Sequence, residues 1–338
     1  MNFWDKLFIN GIKKFPYGSI EIALPSGVIK KIKSPHKGPS AHLKINDNLV
    51  TKEIIKGGSV KFAELYMSER LFSKDLTDLL HYFALNNDQA EATLRITLLK
   101  YLFYKFLHLR NNNTKTQSKK NISYHYDLGN EFYKLWLDKT MTYSSAIFSK
   151  HNKNLEEAQI QKYSKLADLA AIKKGDKILE IGCGWGGFSE FLAKNYDCDI
   201  TAITISKEQF NYSLKRIKKA KLDKKVSVNY CDYRNVNGKF DKILSIEMFE
   251  AVGKKYWETF FKKIKSILNP NGIIGLQLIT IDNKIYDTYS KNPDFIQKYI
   301  FPGGMLPSEK ILKSLISKHS LKLENDVSYA NDYAKTLN

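Results

Sequence analysis

Three scarcities in this sequence each exclude a class of protein. Cysteine occurs only three times in 338 residues and never as a CxxC pair, which predicts a reduced, cytoplasmic protein with no zinc or other metal site. Apolar residues never continue for the roughly eighteen positions that a membrane-spanning helix needs. The N-terminal segment lacks the order of a secretory signal, because Asp5 and Asn10 interrupt its apolar residues.

Arginine is also scarce, although the formal net charge is +19. Only five of the 54 basic residues are arginine. Recognition of bases and phosphates favours the planar guanidinium group, so we predict no nucleic-acid partner. The lysine excess either reflects a biased genome or attracts the chain to an anionic phospholipid membrane, where each basic residue contributes about 1 kcal/mol. On the second interpretation, the protein is peripheral to the inner face of the membrane.

A polar segment divides the chain. Residues 110–121 contain no apolar side chain except the stem of Arg110, and we place a linker at 111–121. The first domain, 1–110, begins with apolar residues at helical spacing and continues with the hairpin pattern GSIEIALPSGVIKKI. The first helix either faces a core or lies in a membrane interface. We therefore predict a small, mixed α+β, lipid-interacting domain, followed by a second domain at 122–338.

Strand-like and helix-like patterns alternate from residue 177 onward. This alternation predicts an α/β domain with a doubly wound parallel sheet and helices on both faces. The strand-like stretches are KILEIGC, DITAITI, VSVNYCD, FDKILSIEM and GIIGLQLITI.

A glycine-rich turn follows the first of these strands. Gly182, Gly184 and Gly186 in LEIGCGWGGF lie between a strand and a predicted helix, where backbone can approach a nucleotide-like ligand closely. Dinucleotide enzymes use similar turns, and a glycine turn can also be purely structural. Glu180 decides our preference, because a carboxylate suits the ammonium or sulfonium group of S-adenosylmethionine better than a pyrophosphate.

The ends of the next two strands support the same choice. A dinucleotide site would place an acid near residue 200 to hold a ribose, whereas this chain places polar uncharged side chains there. Thr204, Ser206 and Gln209 are candidates to hold ribose hydroxyls, with helix capping as the alternative for Ser206. Asp232, after the third strand, is the candidate partner of the adenine amino group.

Several stretches together resemble the cyclopropane-fatty-acyl-phospholipid synthase family. They are GSVKFAELYM, YHYDLGNEFYKLWLDKTMTYSSAIF, LEIGCGWGGF, ITISKEQ, DYRNVNGKFDKILSIEMFEAVGKKYW and DFIQKYIFPGGMLPS. The resemblance spans nearly the whole chain and implies a class I methyltransferase with a Rossmann-like sheet. It implies transfer of a methylene group from S-adenosylmethionine to a cis double bond of a phospholipid acyl chain, and a homodimer. It also implies that Tyr126, Tyr143 and Ser144 close over the cofactor.

The implied chemistry passes through a carbocation, which needs a base and a site that excludes water. In the family the base is a bound bicarbonate ion. Carried over by motif, the residues around it are Glu250, Ile279 (through its backbone), Tyr333, Ser145 and Gln277. Ser145 and Gln277 depart from the family, which has cysteine and, in its best-known members, histidine there. Both offer a hydrogen-bond donor, but Gln277 cannot take a proton, which weakens the expectation of bicarbonate.

The C-terminal segment leaves the predicted sheet short of a strand. LKLENDVSYA is predicted to be a sixth strand, but a closing strand is missing, and we expect an incomplete C-terminus with an open sheet edge. The alternatives to cyclopropane synthesis are formation of methyl- or methylene-branched acyl chains, methylation of a small soluble acceptor, and a truncated, non-catalytic lipid-binding protein.

Overall fold

The fold is described from a computed structural model. It describes residues 1–89, 113–114, 117–118, 121–122, 129–150 and 154–338. The chain divides into two compact units, Met1–Leu107 with Lys291–Phe295, and His108–Ser290 with Ile296–Asn338. Most of the linker predicted at 111–121 lies outside the described residues, so the domain boundaries stay predictions.

The first unit is a small sheet covered by helices. Its sheet has the order β2-β1-β3-β4, with β1 antiparallel to β2 and parallel to β3. The elements are α1 (Phe3–Ile12), β1 (Tyr17–Ala23), β2 (Ile29–Lys33), β3 (His36–Ile45), α2 (Val50–Met67), β4 (Leu71–Phe72) and α3 (Leu76–Leu85). The predicted hairpin is confirmed as β1 and β2. This is the mixed α+β architecture expected from the sequence.

Helix α1 buries part of its apolar stripe in the core of the first unit. Asn2 caps the helix by accepting a hydrogen bond from the Asp5 backbone, and the Asp5 carboxylate accepts one from the Asn2 backbone in return. Phe8 and Ile12 are buried in the core of the unit. Phe3, by contrast, is 69% exposed, so the helix buries only part of its apolar surface.

The second unit contains a five-stranded, wholly parallel sheet in the order β7-β6-β5-β8-β9. The predicted α/β class is confirmed. The strands are β5 (Lys177–Ile181), β6 (Asp199–Thr204), β7 (Val226–Tyr230), β8 (Phe240–Ile246) and β9 (Leu268–Gln277). The helices are α4 (Asn130–Lys134), α5 (Leu155–Leu169), α6 (Gly187–Asn195), α7 (Lys207–Lys219), α8 (Trp257–Ile267), α9 (Tyr286–Lys291), α10 (Glu309–Lys318) and α11 (Ala330–Leu337).

Alternate residues of the central strands pack into two different cores. Leu179 and Ile243 face the helix α8 side, while Ile178 and Leu244 face helices α5, α6 and α7. The strands are therefore buried on both faces, which explains their continuous apolar sequence. This sandwich fixes the carboxyl ends of β5, β6 and β8 along one edge of the sheet.

The far end of the sheet differs from the prediction. Residues 321–329 form no strand, so the predicted sixth strand is wrong; they are mostly exposed and have no buried face to hold a strand in place. Among the described residues β9 pairs only with β8 and forms an edge of the sheet. None of the helices in the described part of the chain has the length and apolar character needed to cross a membrane.

Candidate active site

The glycine turn between β5 and α6 has the backbone shape of a ligand cradle. Gly182, Gly184 and Gly186 have φ angles of 81°, 53° and 80°, in the left-handed region that favours glycine. A Cβ atom at Gly184 would meet no atom within 4 Å, so the described residues leave space over the turn. Ser213 Oγ donates to the Gly184 carbonyl at 2.9 Å and anchors the turn to α7.

Glu180 lies beneath this turn. The side chain is buried, and its Oε2 accepts a hydrogen bond from the Ser189 hydroxyl in the first turn of α6. Burial raises the pKa of Glu180 to about 7, against the opposing effect of the Ser189 hydrogen bonds. This carboxyl therefore holds the strand to the helix, and its predicted contact with the cofactor stays a prediction.

The polar residues at the end of β6 bond mainly to one another. Ser206 is the N-cap of α7 and accepts from the Gln209 backbone at 3.3 Å, as the capping alternative predicts. Thr204 Oγ1 donates to Gln209 Oε1 at 3.0 Å. The three side chains do lie together beside the glycine turn, where the sequence places the ribose.

Asp232 is engaged with an arginine two residues away. Its Oδ1 and Oδ2 accept from Arg234 Nε at 2.9 Å and Nη2 at 2.6 Å. Asp232 is buried, and the arginine also donates to the Asn113 carbonyl at 3.1 Å. The predicted role of Asp232 toward adenine therefore stays a prediction, and its observed role is to fix the loop after β7.

An aromatic cluster flanks the glycine turn. Trp185, inside the turn, is buried. Its ring centroid lies 4.9 Å from that of Tyr133, and its Nε1 donates to Asn130 Oδ1 at 2.6 Å. Tyr143 lies 5.8 Å from Tyr133 and 5.1 Å from Trp136. Tyr143, predicted to close over the cofactor, thus belongs to a wall of aromatic rings. Tyr126 lies outside the described residues.

A glutamate that the sequence analysis did not single out organises the predicted base site. Glu247, directly after β8, accepts hydrogen bonds at Oε1 from the Ser145 backbone N–H at 2.8 Å and from Gln277 Nε2 at 3.0 Å. Gln277 Nε2 also donates to the Ser145 carbonyl at 3.0 Å. Ser145 and Gln277, both predicted at the base site, therefore do lie together. The group between them is the carboxylate of Glu247, which belongs to the chain itself.

Glu250 lies beside this group. The Ile279 backbone N–H donates to Glu250 Oε1 at 2.5 Å, while Oε2 is buried and has no hydrogen-bond partner among the described residues. Burial, and then the charge of Glu247, raise the pKa of Glu250 to about 8. Glu250 therefore carries its proton at pH 7. Burial also raises the pKa of Glu247, against the opposing effects of Lys162 and of the two N–H donors at its Oε1.

Met248 links the loop after β8 to the glycine turn. A Cβ atom at Gly182 would come within 2.7 Å of the Met248 side chain, so these residues are in close contact. Because Met248 stands between Glu247 and Glu250 in the chain, the segment that carries both acidic residues packs against the turn. Only glycine at position 182 permits this approach.

Helix α11 places Tyr333 at the same site. Thr336 Oγ1, one turn further along α11, accepts from the Ala146 backbone N–H at 3.0 Å, next to Ser145. Burial raises the pKa of Tyr333 to about 12, with smaller contributions from the charges of Glu247 and Glu250. The tyrosine is therefore a neutral hydroxyl facing the carboxyl pair.

A fully buried lysine supports the site from below. Lys162 Nζ donates to Ser144 Oγ and to Gln159 Oε1, each at 2.6 Å. Gln159 Nε2 in turn donates to the Ser144 carbonyl at 2.9 Å. Burial lowers the pKa of Lys162 to about 7, while the charges of Glu247 and Asp138 oppose this shift. Ser144, predicted to contact the cofactor, is thus held by helix α5.

Comparison with known proteins identifies the family. The family model for mycolic acid cyclopropane synthetase matches residues 113–338, well over half of the chain. The chain belongs to this family. The tuberculostearic acid methyltransferase UfaA1 of Mycobacterium tuberculosis is 32% identical over 89% of this chain and 72% of its own length. The cyclopropane-fatty-acyl-phospholipid synthase of Escherichia coli (strain K12) is 35% identical over 88% of this chain and 75% of its own.

Solved structures of cyclopropane synthases share the fold. The cyclopropane synthase MmaA2 from Mycobacterium tuberculosis matches with a TM-score of 0.61 and 31% identity, over 65% of this chain and 80% of that one. The mycolic acid cyclopropane synthase CmaA1 complexed with SAH and CTAB gives a TM-score of 0.61 and 30% identity, with the same coverage. The present member of the family is therefore an S-adenosylmethionine-dependent methyltransferase of lipid metabolism, and the dinucleotide alternative for the glycine turn is wrong.

Proposed function

We propose that this enzyme adds a methylene group to the cis double bond of an unsaturated phospholipid acyl chain and closes it to a cyclopropane ring. The observation that carries the proposal is a pair of acidic residues, Glu247 and Glu250, after β8, the sheet neighbour of β5, with Met248 between them in contact with the glycine turn. Ring closure needs a base held at the site, because a proton must leave carbon after the methyl group is added. The two acidic residues are candidates for that role.

The turn fits S-adenosylmethionine. Three left-handed glycines and the open space over Gly184 admit a ligand against bare backbone, and Tyr143 and Trp185 form an apolar wall beside it. When bound, the cofactor supplies an electrophilic methyl group on a sulfonium centre. The residues of the chain then have two tasks: to keep water away from the alkene, and to accept a proton.

Aromatic side chains lead from the surface to the carboxyl pair. Leu135 is 82% exposed and Trp136 is 43% exposed, and Trp136 lies 5.1 Å from Tyr143. Burial raises the pKa of Tyr143, and the charge of Glu247 raises it further. This ring is therefore close enough to Glu247 to interact with its charge. We assign this line to the acyl chain, since aromatic faces tolerate a nearby cation at about 0.5–2 kcal/mol of stabilisation each without capturing it.

We assign the start of the first unit to an anionic membrane surface. Phe3 and Leu49 are 69% and 56% exposed, and the adjoining Asn2 and Asn48 are hydrogen-bonded at 3.2 Å. Lys52 and Lys56 lie 5.9 and 5.4 Å from the centre of the Trp4 ring. Apolar side chains beside lysines suit an anionic interface. Phe3→Ala is expected to weaken sedimentation with anionic vesicles severalfold, whereas the control Ile29→Ala, also exposed, is not.

The proposal is tested with labelled S-adenosylmethionine and vesicles that contain cis-unsaturated phospholipid. We expect label in the fatty acids and the high-field proton resonances of a cyclopropane. Label in a soluble acceptor without lipid would favour a small-molecule methyltransferase. Cofactor binding with no transfer to any unsaturated lipid would favour a non-catalytic lipid-binding protein.

Branched acyl chains are the second candidate product. The similarity to a tuberculostearic acid methyltransferase supports this alternative. A cyclopropane and a methylene branch each add one CH2, so mass does not separate them and the proton spectrum does. Both products require loss of a proton, so the site described here serves either.

The residues around the base site do not fit a bound bicarbonate ion. Ser145 and Gln277, two residues that the family resemblance assigns to the bicarbonate site, donate to Glu247 Oε1 through the Ser145 backbone N–H and Gln277 Nε2. The Ile279 N–H donates to Glu250. We therefore derive no step through bicarbonate.

A further inference from the structure

We propose that the side chain of Glu247 is the base of this enzyme and stands in the place that bicarbonate takes in the family resemblance. The inference rests on the proposed function, because it names the group that removes the proton. Residues expected to bind an external carboxylate-like ion already donate hydrogen bonds to a carboxylate of the chain itself.

The hydrogen bonds favour Glu247 over its neighbour. Glu247 receives two N–H donors at Oε1, and its Oε2 has no hydrogen bond within the described part of the chain. The Glu250 carboxyl group accepts one hydrogen bond, from a backbone N–H. Its other oxygen is buried and has no partner among the described residues. Two acidic groups in such different surroundings separate into an ionised and a protonated member. The ionised member, Glu247, is the one that can accept a proton.

The buried lysine near Glu247 supports the same assignment. Lys162 lies within electrostatic range of Glu247, and each favours the charged form of the other. Lys162 bonds to Ser144 Oγ, and the next residue, Ser145, donates to Glu247. The Glu247 carboxyl group is thus held by Lys162 through the Tyr143–Ser145 loop.

The backbone at Glu247 has a conformation that few non-glycine residues in the described part of the chain share. Its φ angle is 47°, in the left-handed region that glutamate rarely adopts. Such strain is typical of functional positions, where the surrounding structure fixes the conformation. Here the strain aims the side chain at Ser145 and Gln277.

The proposed step involves only the added methyl group, the double bond and the Glu247 carboxylate. Methyl addition to one carbon of the double bond leaves a positive charge on the other carbon. Glu247 takes a proton from the added methyl group, and the electron pair of that C–H bond forms the third bond of the ring. The carboxylate becomes a carboxylic acid and returns its proton to water after the product has left. No further reactant is needed.

The first test removes bicarbonate. In buffer depleted of carbon dioxide, wild-type turnover on vesicles with cis-unsaturated phospholipid is expected to stay within about twofold of its value with added bicarbonate. Glu247→Gln, which keeps the shape and loses the base, is expected to lower kcat by about 10²–10⁴, with unchanged affinity for S-adenosylmethionine and no rescue by bicarbonate. Loss of wild-type turnover on depletion, with recovery on addition, would overturn the proposal.

Glu247→Gly provides the complementary test. Glycine accepts the left-handed φ without strain and vacates the side-chain site, so added bicarbonate is expected to restore turnover at least tenfold. Glu69→Gly is the matched control, because Glu69 is exposed, has a φ of 57° and belongs to the first unit. It should behave as wild type in both buffers.

Binding of labelled bicarbonate separates this inference from the proposed function. With SAH present, carbon-13 NMR should show saturable bicarbonate binding to the Glu247→Gly variant and none to the wild type. This readout does not depend on which acceptor is methylated, so it holds even if phospholipid is not the substrate. Saturable binding to the wild type at the Gln277 site, abolished by Gln277→Ala, would refute the assignment of Glu247.

Discussion

Glu180 lies beneath the glycine turn and Glu250 follows β8, and the two regions use their carboxyl groups differently. Beneath the turn, Glu180 bonds to Ser189 in the helix that follows, and its pKa rises to about 7. Beyond β8, the pKa of Glu250 rises to about 8, and one of its oxygens has no partner among the described residues. Burial raises the pKa of both. The supply of donors distinguishes an acid that holds the fold together from one that is available to a reaction.

The largest expected effect comes from filling the open space over the glycine turn. Gly184→Val puts a branched side chain at a φ of 53° and fills the space over the turn, so both cofactor binding and turnover should be lost, by at least about 100-fold. Calorimetric titration with SAH measures the first. Gly175→Val is the matched control, since Gly175 has a φ of 82° and equally open surroundings but lies before β5. Normal cofactor binding by the Gly184 variant would remove the turn from the site.

Exchanging each acid for its amide tests the comparison directly. Glu250→Gln is expected to lower kcat by about 10²-fold or more while cofactor affinity stays within about threefold, because the amide cannot share a proton with Glu247. Glu180→Gln keeps a hydrogen-bonding partner for Ser189, so it should act on the affinity for S-adenosylmethionine and leave kcat at saturating cofactor within about threefold. Equal losses in the two variants would show that the difference in hydrogen bonding has no catalytic meaning.

Lys162 offers a smaller effect on the same region. Lys162→Met removes the bonds to Ser144 and Gln159, and with them the support of the loop that carries Ser145. We expect kcat to fall by about tenfold, with a fold that survives because methionine fills the buried volume. Lys165→Met, on the same helix, is the control. A shift of the pH profile of kcat in the Lys162 variant alone would distinguish positioning of Glu247 from a purely structural role.

The last prediction concerns stability rather than activity. Glu250 has a pKa of about 8 when folded and 4.5 as the ordinary value, so its contribution to stability is fully present below pH 4.5 and is lost as the pH rises through 8. Glu250→Gln has no such loss. Denaturation of both proteins from pH 5 to pH 8.5 should show the variant gaining on the wild type, by up to about 4 kcal/mol. A constant difference across this range would contradict the raised pKa.

The fold was predictable where the sequence had a strong period. The five strands of the second unit are continuous apolar runs because both faces are buried, and their positions were predicted closely. The segment at 321–329 alternates like a strand but has no buried face, so the pattern alone was misleading. The hairpin of the first unit, with Pro25 and Gly27 at its turn, was also predicted from the sequence.

The site was predictable only in part, because its decisive contacts are long-range. Ser145 and Gln277 came from the family resemblance, but their shared partner Glu247 was read as the end of a strand. Its left-handed backbone leaves no mark in the sequence. Lys162 was one lysine among many, and its burial shows only in the apolar residues around it on helix α5. One available signal was missed: two acids, Glu247 and Glu250, close together after a buried strand.

The left-handed backbone at Glu247 also bears on how such a chain diverges. Glycine accepts this conformation at the least cost, and the codons for glutamate and glycine differ by a single base. One point mutation would therefore exchange a proton acceptor encoded in the gene for one drawn from dissolved carbon dioxide. Enzymes with glutamate and enzymes with glycine at this position would then differ in whether their activity on lipids depends on dissolved carbon dioxide.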